Sequence, residues 1–524
     1  MGILLRPVLD QADAVELTLE ILSFAGGENT ISEDQATKTE QARTLENWDA
    51  LSLGGMQRTA GINQVGDGGA PYTAAPDLLI HHKDTAGTVL YGVIAGDLVK
   101  LSGTTIIQED AAAFTSGLLC HAISVGDALW ITNSTNNLKR KTVGVAIAAP
   151  ASQPPTACDR IYNHKNRLAA EGSTAQPQRI YGSRTGKGNW TAADTWSLAN
   201  DAWSIDLPND TKGCWPGFPT GNEIMAFTEF DSFSLYNFPN TAYRPLGVPS
   251  HGCSAPYSIA LGDEGVYFLS RKPTLGVFLF DGTQFIELTE LNRDVFVEQI
   301  NFSQRIYGVY RNRKYHLVYN ESNSGVSYPN RVRIYDARFG RWMNRPINSS
   351  LSDNMGYPAI LKYSQNELYM ASSQKDKFYE FGTGTDDEGN DTQATYKTKD
   401  FSSRDFAMSS GGGFSIDDVR MKLVNAIITY NGTVGVLGLN WQADRGLHSG
   451  SKSISLTASG DLLNSTFILN SSFIVTSPGD KTKVITFPND AVGRRFNFTL
   501  TNNGQSTIPK VKKVKIVALA LDEA

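Results

Sequence analysis

The segment Gly276–Leu288, GVFLFDGTQFIEL, contains two short apolar runs separated by Asp281-Gly282. An Asp-Gly pair between apolar runs is typical of a tight hairpin, because Gly adopts positive φ and the Asp side chain bonds the turn backbone. The segment Arg331–Met343, RVRIYDARFGRWM, has the same arrangement with Asp336 at the break. The two acidic bends are 336 − 281 = 55 residues apart, which indicates a structural repeat.

A third copy of the unit and many short strand signals extend the repeat. Lys377–Gly382, KFYEFG, places Glu380 at the expected bend, 380 − 336 = 44 residues after Asp336. Apolar runs bounded by turn residues, such as TVLYGVI from Thr88 and DALWIT from Asp127, recur throughout the middle of the chain. A period of about 40–50 residues with about four strands each predicts a β-propeller of about six to eight blades.

The amino-acid composition agrees with an all-β fold and disfavours two classes of function, nucleic-acid binding and membrane insertion. The 524 residues are 40% hydrophobic and 19% charged, so a folded protein with more than one core is expected. The 48 Gly, 24 Phe and 20 Tyr suit short strands joined by tight turns. The net charge of −6 disfavours a nucleic-acid reader, which needs a basic face. No uncharged run reaches the roughly 18 residues needed to span a bilayer, so membrane insertion is not predicted.

Changes in the pattern of apolar and turn residues along the chain predict three consecutive structural regions. Residues 1–72 are expected to form an N-terminal arm with the first strands, and 73–395 the β-propeller. Within the arm, Ser32–Gln35 has capping-box spacing and predicts a short helix with Ala42, Leu45 and Trp48 on one side. Strictly alternating segments in 396–524 predict an immunoglobulin-like β-sandwich. The last strand, PKVKKVKIVALAL, is expected to lie at an exposed sheet edge, where its lysines prevent pairing with strands of other molecules. Contact of these lysines with an acidic neighbouring subunit is the alternative.

Some β-propellers are enzymes, so a catalytic motif in the sequence would change the functional prediction. Ser183 and Trp190 have the spacing of a sialidase-type Asp box, but Thr185 and Lys187 replace its Asp and Gly. Neither GxSxG nor a phosphate-binding Gly-rich loop occurs, and no pair of carboxylates has glycosidase spacing. His81-His82 on a strand would point to opposite faces. The sequence therefore predicts no catalytic residue, no cofactor and no enzymatic activity.

Two charged segments are candidates for ion or DNA binding. DDEGND, from Asp386 to Asp391, offers carboxylates that calcium accepts, but it lacks EF-hand spacing and the closing Glu. A solvated acidic linker is favoured and no metal site is predicted. LKRK, from Leu138 to Lys141, is basic, but a conduit that releases DNA should not grip phosphate strongly. The four cysteines are far apart without a CxxC, so neither zinc nor a disulfide framework is expected.

Aromatic-rich turns with Pro and Gly are the favoured contact surfaces. Trp, Tyr and Arg dominate interface energetics, and stiff loops lose little entropy on docking. The alternative, that the same aromatics fill contacts between blades, stays open. The interface candidates are Trp215, Phe218, Tyr236, Tyr243, Arg338, Trp342 and Arg345.

Several phrases, in order, resemble the bacteriophage tail β-propeller proteins that act as nozzle, hub or head-to-tail stabilisation components. They are FAGGENT (24–30), QARTLENW (41–48), GGMQRTAG (54–61), DRIYNHKNRLAAEG (159–172), RIYGSRTGKGNW (179–190), GCSAPYSIALGDEGVYFLS (252–270), FDGTQFIELT (280–289), RVRIYDARFGRW (331–342) and TDDEGN with YKTKDF (385–401). The GGMQRTAG motif departs from the pattern by one extra residue before Gly61, and the C-terminal part carries no matching phrase.

The resemblance implies a structural virion protein of the tail, in a ring, often a hexamer, around the DNA exit channel. Its partners would be further copies of itself and other tail proteins such as an adaptor ring or fibres, with DNA passing through unbound. Two alternatives remain at this stage: a minor protein of a long tail tip, and a propeller that binds or degrades glycans.

Overall fold

A computed structural model describes the chain between residues 16 and 521. It leaves out 25, 27, 30–40, 52–54, 68–71, 73, 85–86, 187–194, 199–200, 248, 293–298, 323, 347–354, 361–366, 384–386, 388–392, 409–411, 414–418, 432–435, 456–480 and 503–509. Contacts divide the chain into a central unit, 61–388, and a discontinuous unit made of 1–60 and 389–524. Among the described residues no helix has the length and hydrophobicity to cross a bilayer.

The first strands along the chain belong to both units. They are β1 (Glu16–Ile21), β2 (Ala42–Glu46), β3 (Trp48–Ala50), β4 (Met56–Arg58) and β5 (Ile62–Asp67). The helix predicted from the capping-box signal is wrong over its described part, because residues 42–46 and 48–50 form strands β2 and β3. The apolar positions Ala42, Leu45 and Trp48 are buried by strand pairing instead. Residues 30–40 of that prediction lie outside the described residues.

The central unit contains six consecutive antiparallel groups of four strands. The first three are β6 (Pro76–Asp84), β7 (Gly87–Ile94), β8 (Asp97–Ser102) and β9 (Thr105–Asp110); β10 (His121–Val125), β11 (Ala128–Thr132), β12 (Lys139–Thr142) and β13 (Val145–Ala148); and β14 (Arg160–His164), β15 (Arg167–Glu171), β16 (Arg179–Gly182) and β17 (Trp203–Asp206). The next three are β18 (Thr211–Pro216), β19 (Ile224–Thr228), β20 (Ser232–Tyr236) and β21 (Ala242–Pro245); β22 (Ala260–Leu261), β23 (Val266–Ser270), β24 (Gly276–Phe280) and β25 (Phe285–Glu287); and β26 (Tyr307–Arg311), β27 (Lys314–Tyr319), β28 (Arg331–Asp336) and β29 (Arg341–Pro346).

A seventh group combines strands from the two ends of the central unit. It consists of β30 (Met355–Ile360), β31 (Leu368–Ser372), β32 (Lys377–Phe381) and the early strand β5. β5 pairs antiparallel with β32, with Asn63 opposite Glu380. Glu380 therefore lies inside a paired strand, and its predicted place at a hairpin bend is wrong. The fourth strand of this group comes from the start of the unit, so no local bend is needed.

The seven groups pack face to face. On β11, Leu129 and Ile131 lie in an apolar cluster with the preceding group, whereas Trp130 on the opposite face packs with Ile161 of the following group. The first strands contact one another from group to group, directly or, between β18 and β26, partly through the 3-10 turn Pro256–Ser258, and β30 contacts β6. Each sheet buries both faces against its neighbours, which is the arrangement of a β-propeller. The predicted all-β propeller class is confirmed.

The two acidic bends named first from the sequence are confirmed as hairpin turns. Asp281 Oδ1 accepts hydrogen bonds from the backbone N–H groups of Thr283 at 2.7 Å and Gln284 at 2.9 Å. Asp336 Oδ1 accepts one from the Arg338 N–H at 3.1 Å. In each case the Asp side chain accepts hydrogen bonds from backbone N–H groups of the turn between the third and fourth strands, as in an Asx-turn.

The discontinuous unit is also antiparallel β. Its later strands are β33 (Ala394–Thr398), β34 (Ala407–Met408), β35 (Gly412–Gly413), β36 (Arg420–Asn431), β37 (Val436–Ala443), β38 (His448–Ser455), β39 (Lys481–Thr486), β40 (Val492–Gly493), β41 (Phe496–Asn502) and β42 (Lys510–Leu521). One sheet runs β2-β33-β41-β37-β38, and another is built on β36 and β42 with β1, β4 and β39. Alternate residues on β36, β37 and β42 are buried. Aromatic contacts join the two sheets, with ring centroids 5.1 Å apart for Phe24 and Tyr396, and 6.4 Å for Trp441 and Phe487.

Strand pairing divides the chain differently from the three consecutive parts predicted. β1 pairs with β42 and β2 pairs with β33, so the expected N-terminal arm shares sheets with the C-terminal strands. The expected edge position of the terminal lysines is also wrong. β42 is a central strand, with β36 along one side and β1 and β4 along the other. Its Lys513 forms an ion pair with Glu20 at 2.9 Å.

Candidate functional site

Two of the predicted interface residues are exposed at the outer edge of one group. Tyr236 on β20 and Tyr243 on β21 are 37% and 39% exposed. β21 is the last strand of its group, and the two tyrosines lie on neighbouring strands. The Arg244 guanidinium lies 5.8 Å from the Tyr236 ring centroid, a cation–π distance. We call Tyr236, Tyr243 and Arg244 the tyrosine edge.

Trp342 and Arg345 are not surface residues, which corrects the prediction for both. Trp342 is 3% exposed, and its indole Nε1 donates to the Leu288 carbonyl of the preceding group at 2.6 Å. Its ring lies 5.3 Å from that of Tyr335. Arg345 is 1% exposed and pairs with Asp387. For Trp342 the alternative left open from the sequence holds: the aromatic ring fills a contact between neighbouring sheets.

The other three predicted interface residues all make contacts within the chain: Trp215 and Phe218 are half-buried, and Arg338 is exposed. Arg338 forms a two-bond pair with Asp336, with Nε–Oδ1 at 2.9 Å and Nη2–Oδ2 at 2.5 Å. Phe218 packs edge-on against Phe280 at 5.9 Å. Trp215 lines a cavity inside the central unit. The internal contacts of these residues leave less of each side chain for a partner than the sequence indicated.

The charged segments are used internally where they are described. Lys141 of LKRK is 3% exposed and lies 2.9 Å from Glu109 and 3.0 Å from Asp110. Asp387 of DDEGND is fully buried and lies 2.7 Å from Arg345, so the solvated-linker prediction is wrong at that residue. The other residues of DDEGND lie outside the described residues. A single carboxylate held by an arginine offers no cation site by itself.

Several histidines of the central unit are enclosed. His81 and His82 lie in different surroundings, as expected for neighbours on a strand: His81 packs against Tyr369 at 4.9 Å, and His82 Nδ1 lies 2.8 Å from Ser124 Oγ. Burial lowers the pKa of His81 to about 4 and that of His316 to about 3. Both are neutral at pH 7, and neither imidazole has the pKa of a general base at that pH.

A buried polar cluster lies on the first two strands of the third group. Glu171 on β15 is fully buried, and its Oε1 accepts from Arg160 Nε at 2.5 Å and from the Tyr162 hydroxyl at 3.0 Å. Tyr162 in turn accepts the Cys214 backbone N–H at 3.1 Å. Burial opposes ionisation of Glu171, but the Arg160 charge and these hydrogen bonds hold its pKa below the usual value. The carboxylate is locked as an anion, which stabilises the fold and makes Glu171 a poor proton donor.

Beside this group is a small cavity along the first strands. It has a volume of about 140 Å³ and is lined by His121, Tyr162, Cys214, Trp215, Tyr257 and Tyr307. His121 Nδ1 accepts the Ile161 backbone N–H at 3.3 Å, and burial first, then the Arg160 charge, lowers its pKa to about 4. These contacts fill the axis of the propeller with aromatic rings and an internal ion pair.

A second, larger cavity opens among the first, sixth and seventh groups. Its volume is about 330 Å³, and Tyr307 borders both cavities. Asp77, at the start of β6, lies on its wall and is 2% exposed. Arg305 Nη2 donates to Asp77 Oδ1 at 2.8 Å and to the Gly117 carbonyl at 3.0 Å, and the Gly117 N–H donates to Asp77 Oδ2 at 3.0 Å.

Sequence reasoning missed both polar clusters. Arg160 is the first residue of β14 and Glu171 is the last residue of β15, and the register of the two strands makes them neighbours at the open end of the hairpin. Asp77 and Arg305 are 305 − 77 = 228 residues apart. The one available signal was a charged residue at the end of an apolar strand, which is common at strand ends generally.

Comparison with solved structures returns proteins of low similarity. No protein-family model matches the chain, and no curated protein sequence is similar to it. A structure of YCF48 bound to D1 peptide is 13% identical with a TM-score of 0.40, covering 62% of this chain and 97% of that one. The N-terminal domain of Nup159 is 11% identical with a TM-score of 0.37, covering 65% of this chain and 99% of that one.

Proposed function

We propose that the protein is a non-enzymatic structural component of a bacteriophage tail, which assembles into a ring, of six copies by resemblance, around the DNA exit channel. In this proposal each four-strand group is one blade of a seven-bladed propeller, and the C-terminal strands form an immunoglobulin-like sandwich. The observation that carries the proposal is the ordered series of tail-propeller phrases between residues 24 and 401 on a chain with a β-propeller fold.

The filled axis of the propeller supports assembly as a ring of copies. A DNA duplex, whose major groove alone is about 12 Å wide, requires a channel far larger than a cavity of about 140 Å³. Arg160, Glu171 and the surrounding aromatic rings occupy the position through which DNA would have to pass. A conduit built from this protein is therefore the space enclosed by several copies, and the chain acts as one wall segment.

The state of the buried acids supports a structural role. A glycosidase needs two carboxyl groups about 5–9.5 Å apart, one of them held protonated as the acid. Glu171 is kept ionised by Arg160 and Tyr162, and Asp77 is engaged by Arg305 and the Gly117 N–H. Glu171 is therefore a poor proton donor, and although burial raises the pKa of Asp77, both of its oxygens already accept hydrogen bonds. The internal use of Lys141 likewise removes a cation that could have held phosphate.

The proposal is tested by the mass and symmetry of the purified full-length protein. Native mass spectrometry and negative-stain class averages at micromolar concentration are expected to show a closed cyclic oligomer with a central opening. A virion labelled with an antibody against the protein should carry the label on its tail. A monomer at every concentration, with no virion labelling, would contradict the ring. Hydrolysis of surface glycans by the purified protein would favour the enzymatic alternative.

A further inference from the structure

The larger cavity of the central unit has the features of a ligand site independent of any ring. It collects residues from five separated segments of the chain, at the loops that precede first strands or follow second strands. These segments contain Asp77, Gly117, Arg305, Tyr328 and Ser372. In an up-and-down four-strand sheet these connections lie at the same end. The cavity is therefore formed by loops at one end of the propeller, a common position for small-molecule sites.

The cavity is built with buried polar groups at its inner side and exposed groups at its mouth. Asp77, Tyr307 and Ser372 are each 2% exposed or less. Ser116 and Ser327 border the same space and are exposed. Burying polar side chains beside an open cavity is costly unless they find hydrogen-bond partners. The gradient from enclosed to exposed polar groups gives a ligand a defined direction of entry.

The charges at the cavity balance each other. Asp77 and Arg305 pair directly at 2.8 Å, and the Gly117 N–H satisfies the second Asp77 oxygen. A bound anion would be attracted by Arg305 but repelled by the neighbouring Asp77 carboxylate. A bound cation would be attracted by Asp77 but repelled by Arg305. A neutral ligand avoids both repulsions and can still hydrogen-bond to the pair, since each carboxylate oxygen accepts more than one donor.

The remaining walls are hydroxyl, amide and ring surfaces. Gln304 supplies both an acceptor and donors, Ser327 and Ser373 supply hydroxyl groups, and Tyr328 and Pro329 supply flat apolar surface. A ligand that matches this combination carries many hydroxyl groups around a compact ring with an apolar C–H face. The volume of about 330 Å³ suits one such ring and is too small for a folded partner.

We propose that the cavity binds one unit of a neutral carbohydrate, with Asp77, Gln304 and Arg305 hydrogen-bonding its hydroxyl groups and Tyr328 packing against its C–H face. No covalent step is involved. The site would let the propeller hold a terminal or exposed sugar residue of a larger glycan, an activity separate from forming a conduit.

The test is a binding titration of the purified full-length protein with methyl α-glucopyranoside, methyl α-galactopyranoside and methyl α-mannopyranoside. Methyl glucuronide serves as the anionic comparison. Saturation-transfer NMR and calorimetry are expected to show at least one neutral glycoside binding with a Kd in the millimolar range. The glucuronide is expected to bind at least about tenfold more weakly than its neutral counterpart, because its carboxylate would lie beside Asp77.

Two variants link the binding to the cavity. Gln304→Ala removes a polar contact and Tyr328→Ala removes a packing surface, and each is expected to raise the Kd at least about tenfold. Phe230→Ala is the matched control, because Phe230 is an exposed aromatic residue that does not border the cavity. Thermal unfolding of all three variants verifies that they are folded. Ser373→Trp, which fills the space, provides a second way to abolish binding.

Three results would overturn the proposal. They are the absence of binding by every neutral glycoside to about 50 mM, well above the expected Kd; equal binding by wild type and by both cavity variants; and tighter binding of the glucuronide than of the neutral sugars. The ring proposal is unaffected by any of them, since oligomer mass and symmetry are measured separately.

Discussion

The Arg345 guanidinium and the Asp387 carboxylate form an ion pair sealed inside the central unit, with Nη2–Oδ1 at 2.7 Å and side chains 1% and 0% exposed. Arg345 lies on β29 of the sixth group. Asp387 follows β32 and forms an isolated bridge with Ile62, the first residue of β5. The pair thus connects the sixth group to the place where the first strand of the unit completes the seventh.

Breaking this pair on one side is expected to destabilise the protein strongly. Arg345→Met or Asp387→Asn removes the opposite charge that lies 2.7 Å from the other buried group, and breaking a buried pair on one side typically costs about 3–5 kcal/mol. Urea unfolding monitored by tryptophan fluorescence measures the loss. The matched control is Arg179→Gln, which breaks the exposed Arg179–Asp206 pair at 2.5 Å and should cost no more than about 1 kcal/mol. Equal losses for the two pairs would contradict a special role for the buried one.

Stability is expected to fall as the pH falls from about 6.5 towards 4, through enclosed histidines. Burial holds the pKa of His81 and, with the Arg160 charge as a second cause, that of His121 at about 4, below the unfolded value of 6.5. Between pH 6.5 and 4 these histidines are protonated in the unfolded chain but neutral in the folded chain. Their contribution to the free energy of unfolding is therefore fully present above pH 6.5 and is lost as the pH falls through this range. Within this range each such histidine changes the free energy of unfolding by about 1.4 kcal/mol per pH unit.

The variant His81→Phe isolates one of these contributions. His81 packs against Tyr369, and both of its ring nitrogens are buried with no hydrogen-bond partner among the described residues. Phe retains the ring and removes both the unpaired nitrogens and the titration, so stability at pH 7 should be equal or higher. Urea unfolding at pH 7, 6 and 5 should give a smaller pH slope than wild type. An unchanged slope would show that His81 takes up its proton in the folded state as readily as in the unfolded one.

The acidic hairpin bend is expected to depend on its carboxylate oxygen. Asp281 Oδ1 accepts from the Thr283 hydroxyl as well as from two backbone N–H groups. Asp281→Ala removes all three bonds from an exposed turn and should cost about 1–2 kcal/mol in urea unfolding. Asp281→Asn is the control, because its side-chain oxygen can accept the same bonds. A loss for Asn equal to that for Ala would indicate that charge, and not hydrogen-bond geometry, holds the turn.

The tyrosine edge is expected to contribute to contacts between copies. A Tyr236→Ser/Tyr243→Ser variant removes two exposed aromatic rings, together with the edge-on contact that Tyr243 makes with the buried Phe233 at 5.3 Å. If the edge is a subunit interface, truncating it should raise the dissociation constant of the oligomer at least about tenfold, as loss of an interface anchor does. Analytical ultracentrifugation over a concentration series measures this. Val484→Ser, which changes an exposed apolar residue of the discontinuous unit, is the control. An unchanged oligomer in the double variant would place the interface elsewhere.

Local features of the fold were predictable because their causes are local. The runs around Leu90, Trp130 and Phe268 are strands of the structure, since a short apolar run bounded by turn residues has few other stable arrangements. The bends at Asp281 and Asp336 were predictable for the same reason: a carboxylate two residues before a backbone N–H makes its own turn.

The amino-acid sequence by itself determined the strands, their acidic turns and the repeated four-strand unit, because backbone alternation and turn chemistry act between residues near in sequence. Tertiary structure alone decided that β5 completes the seventh group, that β42 is central in its sheet, and that Trp342 and Arg345 are interior. It also brought Asp77 to Arg305 at the cavity. These outcomes depend on which segments, far apart in sequence, pack together and exclude water. The residue pattern of one strand does not specify which other strand pairs with it.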